Sequence, residues 1–97
     1  RGITPIICSP VPRKTWEKDT NFIATSTGSY PQWAQQVARQ SQTPFIDLHT
    51  LISDKYNRLG KEEVEFLFGD KHTHTSEAGA KLTAEVVAEE ITYLLSL

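Results

Sequence analysis

Two short apolar runs constrain the fold of this chain more than any other feature. Thr4-Pro5-Ile6-Ile7-Cys8 runs without polar alternation, and Ser9-Pro10-Val11-Pro12 stops it. Two prolines so close forbid a helix or a paired central strand, because proline lacks a backbone N–H and fixes its φ. A short run that does not alternate is the habit of a strand buried on both faces, as in parallel sheets. Pro44-Phe45-Ile46-Asp47-Leu48 is a second run of this kind.

Helical patterns fill the rest. A helix is expected from Ser29 or Pro31 to Gln40, with proline in its first turn and Trp33, Ala34 and Val37 at helical spacing, ended by Thr43-Pro44. Residues 49–59 are amphipathic, with Leu51, Ile52, Tyr56 and Leu59 on one side and Gly60 as a stop. Residues 61–68 read as a short helix or turn rich in carboxylates. The last helix is the clearest: Ser76 is a good N-cap, Glu77 suits the positive end, and Leu82, Val86, Ile91, Leu94 and Leu95 make a stripe expected to be buried. Strand, helix, strand, helix, helix is the alternation of an α/β domain with a parallel sheet. Two strands are too few for such a sheet, so the 97 residues read as an incomplete α/β portion.

Composition narrows the function classes. Hydrophobic residues at 38% and charged residues at 23% are ordinary for a globular protein. A net charge of -2 with interspersed signs argues against nucleic acid as a partner, whose binders carry a basic patch. No apolar run approaches about 18 residues, so no membrane span is expected, and the Arg1-Gly2 opening shows no signal peptide. Cys8 is the single cysteine and has no disulfide partner within the chain; in an apolar run a small buried thiol is its ordinary role. Residues 13–28 are polar and aperiodic around Trp16 and Phe22, and long loops at strand ends often carry function.

The chemistry concentrates in Asp70, His72 and His74, directly ahead of the last helix. One histidine can be a general base whose tautomer a neighbouring carboxylate fixes. Alternatively, Asp70, His72 and His74 form an Asp-x-His-x-His ligand set, since alternate residues of an extended segment point the same way. As a third reading they are solvated residues of a helix-entry loop capped by Thr75 and Ser76. Spacing alone leaves the three open.

The stretch His72-Thr73-His74-Thr75-Ser76-Glu77-Ala78-Gly79-Ala80 closely resembles the H-T-H-T-S-x-A-G-A segment of the rhamnogalacturonan acetylesterase family, within the SGNH (GDSL-like) hydrolases. Ile6-Ile7-Cys8-Ser9-Pro10-Val11-Pro12 followed by Trp16, then Phe45-Ile46-Asp47-Leu48, then Ala84-Glu85-Val86-Val87-Ala88, resemble further parts of that family in its order. The resemblance implies that residues 1–97 are the C-terminal part of a single domain, a portion of a three-layer α/β/α, flavodoxin-like fold with a parallel sheet. It implies a serine esterase acting on an acetylated plant polysaccharide such as rhamnogalacturonan or xylan, with no cofactor and a secreted or periplasmic location. His74 would be the catalytic histidine, activating a serine too weak to attack unaided; Thr75, Ser76, Ala78, Gly79 and Ala80 would have structural roles.

Two departures from the family pattern stand out. The family's carboxylate precedes the histidine by three residues, where Lys71 stands; Asp70 is four before His74, so either a one-residue shift brings it to the imidazole or the orienting acid is missing. No serine here (Ser9, Ser26, Ser29, Ser41, Ser53, Ser76, Ser96) lies in a Gly-Asp-Ser-type block. The nucleophile and oxyanion hole would come from an N-terminal half of the same enzyme, and this chain alone is expected to be inactive. A non-catalytic remnant or binding module of the same fold is the rival. Among other residues, Trp16 is the candidate sugar contact, His49 reads as structural, Asp47 as an N-cap or turn residue, Arg13 and Lys14 as solvated, and Glu62, Glu63 and Glu65 as a wet helix face.

Overall fold

The computed structural model describes residues 2–20, 22–24 and 30–97; Ser26 and Ser29 lie outside the described residues. Strands β1 (Ile7–Cys8) and β2 (Phe45–Ile46) pair in parallel, Ile7 opposite Phe45 and Cys8 opposite Ile46. Helix α1 (Tyr30–Ser41) lies between them in sequence, and α2 (Leu48–Leu59), α3 (Lys61–Glu65) and α4 (Glu77–Leu95) follow. This is a mixed helix–strand arrangement with a two-stranded parallel sheet. No helix of the described residues is long and apolar enough to cross a membrane.

The core gathers Ile46 of β2, Leu48, Ile52 and Tyr56 of α2, Val64 of α3, Val86 of α4, and Ile23 and Phe68 from loops. α2 is central to it: Ile52 and Tyr56, four apart and so on one face, are both fully buried. Local chemistry sets its ends. Asp47 is its N-cap, its carboxylate accepting from the Thr50 N–H, and Gly60 closes it at φ +87°, where a Cβ would be strained. Ser9 ties the loop after β1 to the start of α2. Its buried hydroxyl donates to Asp47 Oδ1 at 2.9 Å and accepts the His49 N–H at 2.8 Å. His49 is buried, its Nδ1 donating to the Pro10 carbonyl at 3.1 Å, which is a structural role.

Several expectations fail where a face or edge lacks cover. Cys8 is exposed rather than buried, because β1 has β2 as its one strand neighbour among the described residues. α1 buries Ala38, while Trp33 and Val37 of its expected apolar stripe are 55% and 53% exposed. On α4, Val86 is buried and Leu82, Ile91 and Leu94 pack against the core, but Leu95 is 82% exposed. Helical spacing decides which residues share a face, not what that face meets.

Candidate active site

The Asp70–His74 loop joins α3 to α4, and its own backbone pinches it shut. Phe68 and Thr75 form an antiparallel bridge, the Gly69 N–H donates to the His74 carbonyl at 2.8 Å, and the Ser76 N–H to the Leu67 carbonyl at 2.9 Å. Ser76 then starts α4: its hydroxyl accepts the Gly79 N–H at 3.3 Å and donates to the Phe66 carbonyl at 2.7 Å. Gly79 is required by close approach, since a Cβ there would run into the Leu67 carbonyl oxygen.

Inside the loop the chain coils around one carboxylate. Asp70 Oδ1 accepts the backbone N–H groups of His72, Thr73 and His74 at 3.1, 2.7 and 2.9 Å. Oδ2 lies 2.6 Å from His74 Nδ1. The His74 N–H, then the imidazole contact and the Thr73 N–H, hold the Asp70 carboxyl well below the usual carboxylate range, outweighing a small opposing desolvation. A carboxylate can only accept, so Nδ1 carries a proton and Nε2 is the ring nitrogen left for proton transfer. The His74 side chain is 82% exposed. His72 turns elsewhere, its Nδ1 sharing a hydrogen bond with Thr73 Oγ1 at 2.8 Å.

The metal reading of Asp70, His72 and His74 is corrected by this geometry. One oxygen of Asp70 is taken by three backbone donors and the other by His74, and no group of three His, Cys, Asp or Glu among the described residues is placed to hold a metal ion.

Lys14 is likewise not solvated. It is 8% exposed, and its Nζ donates to Glu65 Oε1 at 2.9 Å and to the Asp70 carbonyl at 3.4 Å while lying 5.5 Å from the Phe68 ring centroid. Glu65 is therefore an ion-pair partner rather than part of a free wet face, although it stays largely exposed. Sequence reasoning missed this pair because a lysine in a polar, aperiodic stretch carries no signal of burial.

Beside His74 lies an open hollow of about 500 Å³ lined by Val11, Thr73, His74, Thr75, Ala80, Thr83 and Ala84. No serine lines it. The Thr83 hydroxyl at its edge is buried with no partner among the described residues. Trp16 does not line this hollow: it packs against the core, bridges to Ile23, and has Lys61 Nζ 5.8 Å from its ring centroid.

No family model and no solved structure matches the chain. Curated relatives do. The chain is 29% identical over 105 residues to the rhamnogalacturonan acetylesterase RhgT of Bacillus subtilis (strain 168), covering 94% of this chain and 45% of that protein. It is 21% identical over 91 residues to the rhamnogalacturonan acetylesterase of Emericella nidulans, covering 94% of this chain and 36% of that protein. Along nearly all its length the chain is thus similar to rhamnogalacturonan acetylesterases, and it spans less than half of theirs.

Proposed function

We propose that the chain is the histidine-bearing C-terminal part of an SGNH-type serine esterase, with the three-layer α/β/α fold, that removes acetyl groups from a polysaccharide such as rhamnogalacturonan or xylan. The observation that carries this reading is the Asp70–His74 pair at 2.6 Å, with the second ring nitrogen left for proton transfer beside an open hollow. The relatives' names supply the reaction class.

In this mechanism a serine from the rest of the enzyme enters the hollow. His74 Nε2 takes the proton from its hydroxyl as the oxygen attacks the acetyl carbonyl, and the tetrahedral intermediate forms. Asp70 keeps the proton on Nδ1 and stabilises the imidazolium. As the intermediate collapses and the bond to the sugar oxygen breaks, Nε2–H protonates that departing oxygen, releasing the sugar hydroxyl and leaving an acetyl-serine. Water attacks that ester with His74 again as base, releasing acetate. Small side chains at Ala80 and Ala84 leave room for the incoming segment. An enzyme acting on plant polysaccharide would work outside the cytoplasm, secreted or periplasmic.

The test is turnover of p-nitrophenyl acetate by the full-length protein with and without His74→Ala. Loss of a positioned general base is expected to lower kcat by about 10²- to 10⁴-fold. Unchanged turnover would end the assignment of His74. No turnover in the full-length wild type would favour a non-catalytic remnant of the same fold.

A further inference from the structure

We propose that Lys14 is a positioning residue for the Asp70–His74 pair, clamping the outer side of the turn that Asp70 holds from within. The inference rests on the esterase reading for its catalytic meaning and on geometry for the clamp itself. Three N–H groups of residues 72–74 converge on Asp70 Oδ1. Lys14 takes the carbonyls of two residues of the same turn: its backbone N–H donates to the His72 carbonyl at 2.8 Å and its ammonium to the Asp70 carbonyl at 3.4 Å.

A buried ammonium is unusual and persists only when paired. Glu65 Oε1 at 2.9 Å supplies the charge, and the Phe68 ring face, 5.5 Å from Nζ to centroid, receives the cation from another side. Glu65 ends α3, and Phe68 pairs with Thr75 at the neck of the loop. Lys14 therefore ties three things together: the segment after β1, the end of α3, and the turn that aims the imidazole. Asp70 by itself is a partly exposed carboxylate on an exposed turn, where water competes for the same N–H groups. A second anchor, itself shielded from water, fixes the turn on its other side. Acid–base catalysis depends on such fixing, because a displacement of about 1 Å can cost on the order of a hundredfold in rate.

The test uses the full-length protein with Lys14→Met, which keeps the apolar stem and removes the ammonium, and Lys14→Arg, which returns the charge. Two readouts are followed: the carboxyl titration of Asp70 by NMR with hydrogen exchange of the His72, Thr73 and His74 N–H groups, and kcat and KM separately. Lys14→Met is expected to move the Asp70 midpoint up toward the ordinary value of about 3.9, to speed exchange of those N–H groups, and to lower kcat by roughly ten- to a hundredfold with KM little changed. Lys14→Arg is expected to recover most of each loss. A folded Lys14→Met protein with unchanged Asp70 midpoint and exchange overturns the clamp. Should Lys14→Met not fold, Glu65→Gln replaces it: faster exchange of the three N–H groups supports the clamp and unchanged exchange overturns it. Absence of esterase turnover in the wild type would overturn the esterase reading alone, because midpoint and exchange still test the clamp.

Discussion

Gly79→Ala sets two effects of known size against each other. Within a helix, alanine is favoured over glycine by about 1 kcal/mol, so a Cβ at the third residue of α4 would ordinarily stabilise it. Here that Cβ would collide with the Leu67 carbonyl oxygen, with the carbonyl carbon 2.9 Å and Thr75 Cβ 3.0 Å away. The obstacle is backbone and cannot swing aside. It is also fixed as the acceptor of the Ser76 N–H at 2.9 Å. Overpacking of this kind costs about 1–3 kcal/mol. If the first turn of α4 withdraws, the 2.7 Å bond from Ser76 Oγ to the Phe66 carbonyl is strained as well, for about 1 kcal/mol more. The collision wins, and a net destabilisation of roughly 2 kcal/mol is expected after the propensity gain is subtracted. Urea denaturation of the full-length protein measures it. Ala78→Gly in the same turn serves as the reference for propensity alone, since Ala78 is exposed. A Gly79→Ala protein as stable as the wild type would show that the helix start accommodates a Cβ and would refute the close-packing argument.

Three further outcomes follow from the buried polar groups. Tyr56 is fully buried, its hydroxyl has no partner among the described residues, and burial pushes its phenol from 10.0 up to about 12. Tyr56→Phe should be neutral or stabilising by up to about 1–2 kcal/mol; a loss beyond about 1 kcal/mol in urea would show that the hydroxyl is satisfied. Because the native state holds this proton more tightly than the unfolded chain, the stability linked to Tyr56 is complete below pH 10 and declines as pH rises toward about 12. Urea midpoints against pH should show a steeper decline in the wild type than in Tyr56→Phe, and parallel curves would remove Tyr56 from the linkage. Ser9→Ala should cost about 1–3 kcal/mol, since it strips the buried His49 N–H of its acceptor; a thermal unfolding curve unchanged from wild type would contradict this.

The helix ends were legible because they obey local rules. Ser76, Asp47 and Gly60 act within a few residues of themselves, so composition at those positions suffices to place α2 and α4. The pairing of two short runs was legible from their lack of alternation, but the expected burial on both faces is not met: Ile7 and Phe45 are half-buried and Cys8 is exposed. Trp33, Val37 and Leu95 were misread because periodicity assigns a face but not its neighbour. Cys8 was misread because an edge is a property of the sheet, not of the strand. Lys14 was invisible on stronger grounds: its partners Glu65, Phe68 and Asp70 lie about fifty residues away along the chain. Nothing in a local window distinguishes a solvated lysine from one whose charge is matched at that distance.

The Asp70 register shows where counting along a sequence loses meaning. In a strand, offsets of three and four residues point to opposite faces, and in a helix both lie on one face, so regular structure fixes which spacings can work. Residues 70–74 are neither. Asp70 Oδ1 draws the N–H groups at offsets of two, three and four toward one point, so the chain curls around the carboxylate. Within such a curl the side chain of the fourth residue lies within reach of Oδ2, and the 2.6 Å contact follows from the turn rather than from the number of intervening residues. Lys71, which occupies the offset expected of the acid, is exposed and sits inside the curl's sequence without entering the pair. A short acidic side chain at the start of a tight turn can therefore orient a histidine across a one-residue change in spacing, provided the turn's own N–H groups hold the carboxylate in place.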